Sequence, residues 1–406
     1  MPRVVMIAFH FPPLVGSSGI QRTLRFAQYL PQHGWQPLIL TASTVAYDRT
    51  SDDLLRELPS GLVVHRAFAL DAARHLAVGG HYPALLARPD RWITWALAAI
   101  PSAMRLVRRY RPTAVWSTYP IATAHVIGRW VARLSGLPWV ADFRDPMAQD
   151  GYPADPATWR AFEAIERTTI ANAAASVFVT RGAAETYRRR YADAADRIGV
   201  IENGFDEPSY AGIASTGPPL VPGRRTLLHS GVVYPSERDP THLFAALGAL
   251  KRAGRAGDVL LRFRASAHDA LLHALAQRHG VADMIELASP LPYRQSLEEM
   301  HRADGLLVLQ ASNCNEQIPA KVYEYLRTGR PILALTDPRG DTADLLRRCG
   351  VRHIAPLDDS DAIAATLPAF IADPSGGVPA PAAVVACSRE QRTRELATLL
   401  DRVTRV

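Results

Sequence analysis

Lysine is almost missing from this sequence: of 46 basic residues only Lys251 and Lys321 are lysines. Cysteine is scarce as well, with residues 314, 349 and 387 odd in number and without metal-ligand spacing. That excludes a disulfide framework and a zinc site of paired cysteines, and the three read as reduced thiols. No apolar run is long enough to span a bilayer, since the longest, 92–107, is broken by Pro101 and Arg105. The G-x-G-x-x-G fingerprint is absent from the opening turn, which holds only Gly16 and Gly19, so hydride transfer on a dinucleotide is unsupported. No aromatic-interleaved basic motif or groove-reading module appears, which argues against nucleic acid as a partner. No charged segment precedes an apolar one at the start, because Val4 to Phe9 reads as a first strand, and a cytoplasmic protein is expected.

What is present is enough for two domains, each able to bury its own core in a chain of 406 residues. The net charge of +7 is lopsided: residues 1–205 carry 23 basic and 16 acidic side chains, and residues 206–406 carry 23 of each. Arg105, Arg108, Arg109 and Arg111 follow the segment of Trp92 and Trp95. Two readings stay open for them: a patch that rests at the periphery of an anionic membrane surface, or a solvated helix face.

Along the chain, apolar runs of strand length alternate with stretches of helical period, the pattern of a parallel sheet. Val4 to Phe9, Trp35 to Thr41, Ala114 to Ser117, Trp139 to Phe143 and Ser176 to Thr180 read as strands, with helices near 20–33, 122–134 and 158–172. The stretch 206–225, rich in Pro, Gly and Ser, reads as a linker. The alternation then restarts at Thr226 to Ser230 and continues through Val259 to Ala265, Ile285 to Leu287 and Gly305 to Leu309. The expected fold is α/β: a Rossmann-like domain over 1–205, a second over 226–385, the two facing each other across a cleft, and a terminal helix in 386–406 packing across both.

Candidate site residues gather where strands end, because ligands of open α/β sheets bind at the carboxyl edge. The densest stretch runs from Asn313 to Leu335: a loop, a short helix expected to start at Pro319 and stop at Gly329, and a strand. Free N–H groups at such a helix start favour anions. Lys321 on the first turn is a point charge suited to a diphosphate, Glu324 one turn on could accept two hydrogen bonds from vicinal hydroxyls, and Glu316 could do the same for another polyol. The alternative is an ordinary amphipathic helix with Val322, Tyr325 and Leu326 inward. Earlier, Gly231 permits close backbone approach and Arg238 can fork onto phosphate oxygens. In the first half, Gly16 serves either a phosphate or only its turn, and His10 either the chemistry or the structure. Asp142 and Asp145 either line an acceptor hydroxyl or cap and pair with neighbours.

Taken together, the sequence resembles the family 4 glycosyltransferases of the GT-B fold, in particular bacterial enzymes of exopolysaccharide or lipopolysaccharide assembly. The resemblance spans nearly the whole chain. It rests on Phe11-Pro-Pro13 with Gly16 and Arg22, Gly34-Trp35, Asp142-Phe-Arg-Asp-Pro146, Asn203-Gly-Phe-Asp206, Gly231 with Arg238-Asp-Pro240, and above all Glu316 to Glu324, which looks like the family's E-x7-E motif. The resemblance implies transfer of a hexose-type sugar from a nucleotide-sugar held by the second half to a glycan, lipid-linked or small-molecule acceptor held by the first. It implies retention at the anomeric carbon, no metal and no cofactor. Glu324 would hold the ribose, Arg238 and Lys321 the diphosphate, and Glu316 with the Gln317 and Ile318 amides the sugar. Base contacts would fall around Ser289 to Tyr293, with Leu291 and Tyr293 as donor-binding candidates. The chain departs from the family in two places: no lysine follows Arg238 within a few residues, and Gln317 stands where a glycine is usual. Its rivals are a nucleotide-sugar epimerase or hydrolase of similar build and an inactive nucleotide-sugar-binding module.

Overall fold

The computed structural model describes every residue of the chain except 17, 18, 78, 80, 83, 215, 216 and 406. Residues 17 and 18 of the opening turn, and 215 and 216 of the expected linker, therefore lie outside the described residues. The chain divides into two compact units, 1–203 with 389–406, and 204–388.

In the first unit, β1 (Arg3–Ile7), α1 (Gly19–Tyr29), β2 (Gln36–Ala42), β3 (Val63–Ala67), α2 (Ala72–His75), α3 (Thr94–Tyr110), β4 (Ala114–Thr118) and α4 (Thr123–Ser135) are followed by β5 (Trp139–Arg144), α5 (Pro156–Asn172), β6 (Ala175–Phe178), α6 (Arg181–Arg190) and β7 (Ile198–Val200). The strands form one parallel sheet in the order β3-β2-β1-β4-β5-β6-β7. They are buried on both faces, which is why β1, β4 and β5 read as continuous apolar runs rather than alternating ones. The sequence reading gave α1 as one helix to residue 33. Pro31 cannot donate into an α-helical ladder, so 30–33 tightens into a 3₁₀ turn closed by left-handed Gly34.

The second unit repeats the plan. It runs β8 (Arg225–Ser230), α7 (Thr241–Arg252), β9 (Val259–Arg264), α8 (Asp269–His279), β10 (Ile285–Ala288), α9 (Tyr293–Arg302), β11 (Gly305–Leu309), α10 (Ala320–Thr328), β12 (Ile332–Leu335), α11 (Asp341–Arg348), β13 (Ile354–Ala355), α12 (Ser360–Ala372) and α13 (Pro381–Val385). Its six parallel strands lie in the order β10-β9-β8-β11-β12-β13.

Two boundaries depart from the sequence reading. The stretch 206–225, read as a linker, belongs to the second unit. Phe205 and Tyr210 are buried in that unit's core beside Tyr325 and Leu326, so apolar anchors override the linker-like composition around them. The terminal helix α14 (Arg389–Thr404), expected to lie across both halves, packs on α1 of the first unit. Leu396, Ala397 and Leu400 join the core of Phe26, Leu30 and Trp35, and the Trp35 indole donates to Asp401 at 2.9 Å. Arg392 pairs with Glu202 at 2.7 Å, both almost fully buried. In each unit the strand order reverses direction beside the first strand, at β1/β4 and at β8/β11. Such a switch point opens a crevice at the carboxyl edge of a doubly wound sheet.

Candidate functional site

In the second unit the loops that leave the switch point are 231–240, after β8, and 310–319, after β11. These are the two loops that carry Arg238 and the E-x7-E stretch. Gly231 adopts φ +144, which residues with a Cβ rarely take, and its N–H bonds to the Arg264 carbonyl at 2.9 Å. The loop then folds back: the Arg238 guanidinium donates to the Val232 carbonyl at 2.7 Å and lies over the Tyr234 ring at 5.4 Å. Arg238 is therefore held against the backbone beside Gly231 rather than left to wave in solvent.

Helix α10 starts one residue later than the sequence suggests. Pro319, with φ −56 and ψ 132, is its extended N-cap, and Gly329 ends it in a left-handed turn as expected. The Lys321 ammonium donates to Glu324 Oε2 at 2.6 Å, and the Tyr293 hydroxyl donates to Glu324 Oε1 at 3.2 Å. Lys321 also lies over the Tyr293 ring at 5.7 Å. One cation, one carboxylate and one phenol thus share a cluster built from the first turns of α9 and α10. Helical spacing explains the Lys321–Glu324 pair, since residues three apart share a face. Glu316 and Gln317 are exposed in the loop ahead of the helix, and Ile318 packs partly against the core.

The resemblance had aimed the Gln317 amide at a sugar. In the structure that N–H is spent on the Cys314 carbonyl at 3.0 Å. The Gln317 carbonyl accepts from Gln310 at 2.9 Å and Thr342 at 3.1 Å, so the loop is pinned by side chains the sequence reading did not single out. Gln310 also binds the Cys314 carbonyl at 2.8 Å. The Cys314 thiol is buried and its pKa is raised by that burial, which keeps it protonated and unsuited to nucleophilic attack. Leu291 lies between Pro290 and Pro292 in the segment before α9. Arg264, tied to buried Glu299 at 2.5 Å, donates to the Ser289 carbonyl and fixes that segment from below.

In the first unit the named residues part company. Gly16, with φ +84, sits in the loop between β1 and α1. Asp142 is fully buried and both its oxygens are taken by the Arg22 guanidinium, at 2.8 and 2.9 Å, with Thr118 adding a third bond at 2.9 Å. Of its two open readings the salt bridge holds, because Arg22 also donates to the Ile201 and Glu202 carbonyls and so ties α1, β5 and the end of β7 together. Asp145 is half-buried, and burial raises its carboxyl pKa. His10 is held near 4 by burial and by the Arg144 charge, so its imidazole is neutral at physiological pH.

Residues 18–204 match the family described as Glycosyl transferase 4-like domain. No curated protein matches by sequence. Among solved structures, a glycosyltransferase from Rickettsia africae superposes with a TM-score of 0.67 at 12% identity, over 99% of this chain and 98% of that one. The Anabaena protein HepE, solved in complex with UDP, gives 0.63 at 13% identity, over 100% and 98%. Sucrose-phosphate synthase from Thermosynechococcus elongatus gives 0.62 at 14% identity, over 100% and 96%. The fold class is GT-B, built from two Rossmann-like α/β units.

Proposed function

From a chain whose residues 18–204 are a glycosyl transferase 4-like domain, we propose a glycosyltransferase that moves a hexose-type sugar from a nucleoside-diphosphate sugar to an acceptor hydroxyl. The observation that carries the donor assignment is the Lys321–Glu324–Tyr293 cluster at the start of α10, one loop away from Gly231 and Arg238 at the switch point of the second sheet. The neighbour HepE, solved with UDP and with UDP-glucose, supports the same class of donor.

In this reading the ribose exchanges hydroxyl contacts with Glu324, and Tyr293 and Leu291 stand on the side of the base. Arg238 and Lys321 face the diphosphate. Departure of a nucleoside diphosphate concentrates negative charge on its β-phosphate, and two fixed cations beside a helix start stabilise that charge without having to reorganise. Glu316 and the loop around Ile318 face the sugar. Transfer proceeds with retention, by front-face attack of the acceptor assisted by the departing phosphate, and calls for no metal ion. The first unit holds the acceptor, a glycan, lipid-linked or small molecule of surface-polysaccharide or glycoconjugate assembly. The reaction takes place in the cytoplasm, at the inner face of the membrane where the acceptor is lipid-linked.

A thermal-shift screen of UDP-, GDP- and ADP-sugars identifies the donor. With that donor, Lys321→Ala and Arg238→Ala each lower turnover by roughly 10²-fold, the scale of losing one preorganised charge at a developing anion, while the melting temperature stays near that of the parent. Near-normal turnover in both variants would remove the assignment. Turnover of the donor without any acceptor, at the full rate, would favour the hydrolase alternative.

A further inference from the structure

At the carboxyl end of β5 the backbone is bent out of its regular course. Arg144 takes φ +62, a left-handed conformation that side chains with a Cβ seldom adopt, and the β5–β6 register shifts between Asp142 and Arg144. The bend carries the Arg144 guanidinium into the protein, where the residue keeps 8% of its exposure. There, among the described residues, it makes one long contact, Nη1 to the Tyr119 carbonyl at 3.5 Å, and its Nε is buried without a partner.

The contrast with Arg22 is informative. Arg22, 3% exposed, has both Asp142 oxygens and the carbonyls of Ile201 and Glu202 as acceptors. A structural buried arginine in this same unit is thus fully paired, as a desolvated cation requires. Arg144 is not, although it lies at the sheet edge next to the switch point, where ligands of such sheets bind. Asp142 and Asp145 attract it electrostatically, but neither carboxylate accepts a hydrogen bond from it among the described residues. Asp142 is committed to Arg22. Asp145, whose pKa burial raises and the Arg144 charge lowers, stands near it without a hydrogen bond among the described residues, and His10 is neutral.

We propose that Arg144 is a substrate-binding residue that anchors an anionic group, a carboxylate or a phosphate, carried by the acceptor. The planar fork of a guanidinium suits either group, since both offer two oxygens to parallel N–H donors. The proposal rests on the glycosyltransferase reading and adds to it a class of substrate: the acceptor bears a negative charge, separate from the donor's diphosphate. The excess of basic over acidic residues in the first 205 positions works in the same direction.

The test is a binding titration on the full chain with two matched pairs of probes, glucuronate against glucose and glucose 6-phosphate against glucose, with UDP as a control. In the parent, the charged member of one pair binds about tenfold or more tighter than its neutral twin, the scale of a charge-assisted hydrogen-bonded contact. Preference within the first pair marks the anion as a carboxylate, and within the second as a phosphate. Arg144→Asn, chosen because asparagine tolerates a left-handed backbone, brings the ratio close to one and leaves UDP affinity unchanged within about twofold. Arg144→Lys keeps the charge, loses the fork and retains part of the preference, and it serves where the asparagine variant melts early. The proposal is overturned if neither pair shows a preference in the parent, if the preference survives in Arg144→Asn, or if that variant loses UDP affinity instead. Because neither pair needs a nucleotide, a parent protein that ignores UDP would count against the donor site and leave this comparison readable.

Discussion

At the scale of single residues, the buried His125 and His229 and the half-buried His10 have lost their ordinary basicity. Burial lowers His125 to about 3 and His229 and His10 to about 4. His125 Nδ1 lies 2.8 Å from the Ser117 hydroxyl, which accepts from the Trp139 indole, and its Nε2 is buried without a partner among the described residues. The sign of the linkage is fixed by these directions: between the unfolded value near 6.5 and the folded values of about 3 and about 4, the unfolded chain binds protons that the folded one refuses. Stability is therefore full above about pH 6.5 and falls as the pH drops through that window. The melting temperature should decline between pH 7 and pH 5, ahead of most carboxylate titration, and His125→Gln should remove part of that slope. A flat curve over this interval would contradict the burial argument. What the sequence could and could not tell differs sharply among such residues. The stop at Gly329 and the face shared by Lys321 and Glu324 were legible because they depend on neighbours within one helix. The partner of Asp142 was not, because Arg22 stands 120 positions upstream, and neither was the left-handed turn at Arg144, which tertiary context imposes on an unfavourable residue.

At the scale of elements, α3 changes character between sequence and structure. The apolar stretch 92–107 was read with its tryptophans beside a basic patch, as one membrane-facing combination or a solvated face. In the structure Trp95 is fully buried, and Trp92 packs on Phe9 at 4.8 Å with Arg91 over its ring at 4.5 Å. The aromatic half of the combination belongs to the core. The basic half does not: Arg105, Arg108, Arg109 and Arg111 are exposed, with Leu97 at 81% exposure on the same helix. No helix among the described residues is long and apolar enough to cross a membrane. Attraction of these arginines to anionic lipid is electrostatic, worth about 1 kcal/mol per basic residue near the surface and screened by salt. Sedimentation with phosphatidylserine vesicles should show binding at low salt that disappears at high salt and in the triple variant Arg105→Gln, Arg108→Gln, Arg109→Gln. Unchanged binding by that variant would remove α3 as the contact. The alternation of strands and helices was legible because buried parallel strands announce themselves as apolar runs. β3 escaped notice because Val63–Ala67 is only partly buried and carries His65 and Arg66, so its signal is weak at the edge of the sheet.

At the scale of the whole molecule, the second unit is one continuous stretch and the first is not. Helix α14 completes the core that Phe26, Leu30 and Trp35 form with Val4, Met6 and Trp116 of the sheet, so the first unit depends on the last helix of the chain. Ending the chain at Ser388 would remove three core side chains, Leu396, Ala397 and Leu400, together with the Arg392–Glu202 pair. At roughly 1.5 to 3 kcal/mol for each large side chain, the loss is a large part of a domain's stability. Calorimetry of the shortened chain should show early melting of one transition and near-parental melting of the other, and a parental profile would contradict the packing. The sequence reading, which placed that helix across both halves, had its location along the chain but not its partner, since a single amphipathic face does not say which core it covers. The central claim is that the second unit binds a nucleoside diphosphate through the start of α10. Titration calorimetry with UDP and with uridine, on the parent and on Glu324→Ala, tests it most directly. The account predicts that the parent binds UDP more tightly than uridine, and that the variant weakens both by a similar factor, about 1.5 to 3 kcal/mol for hydrogen bonds to a charged group, because the ribose is common to them. Equal affinity of parent and Glu324→Ala for both ligands would contradict it.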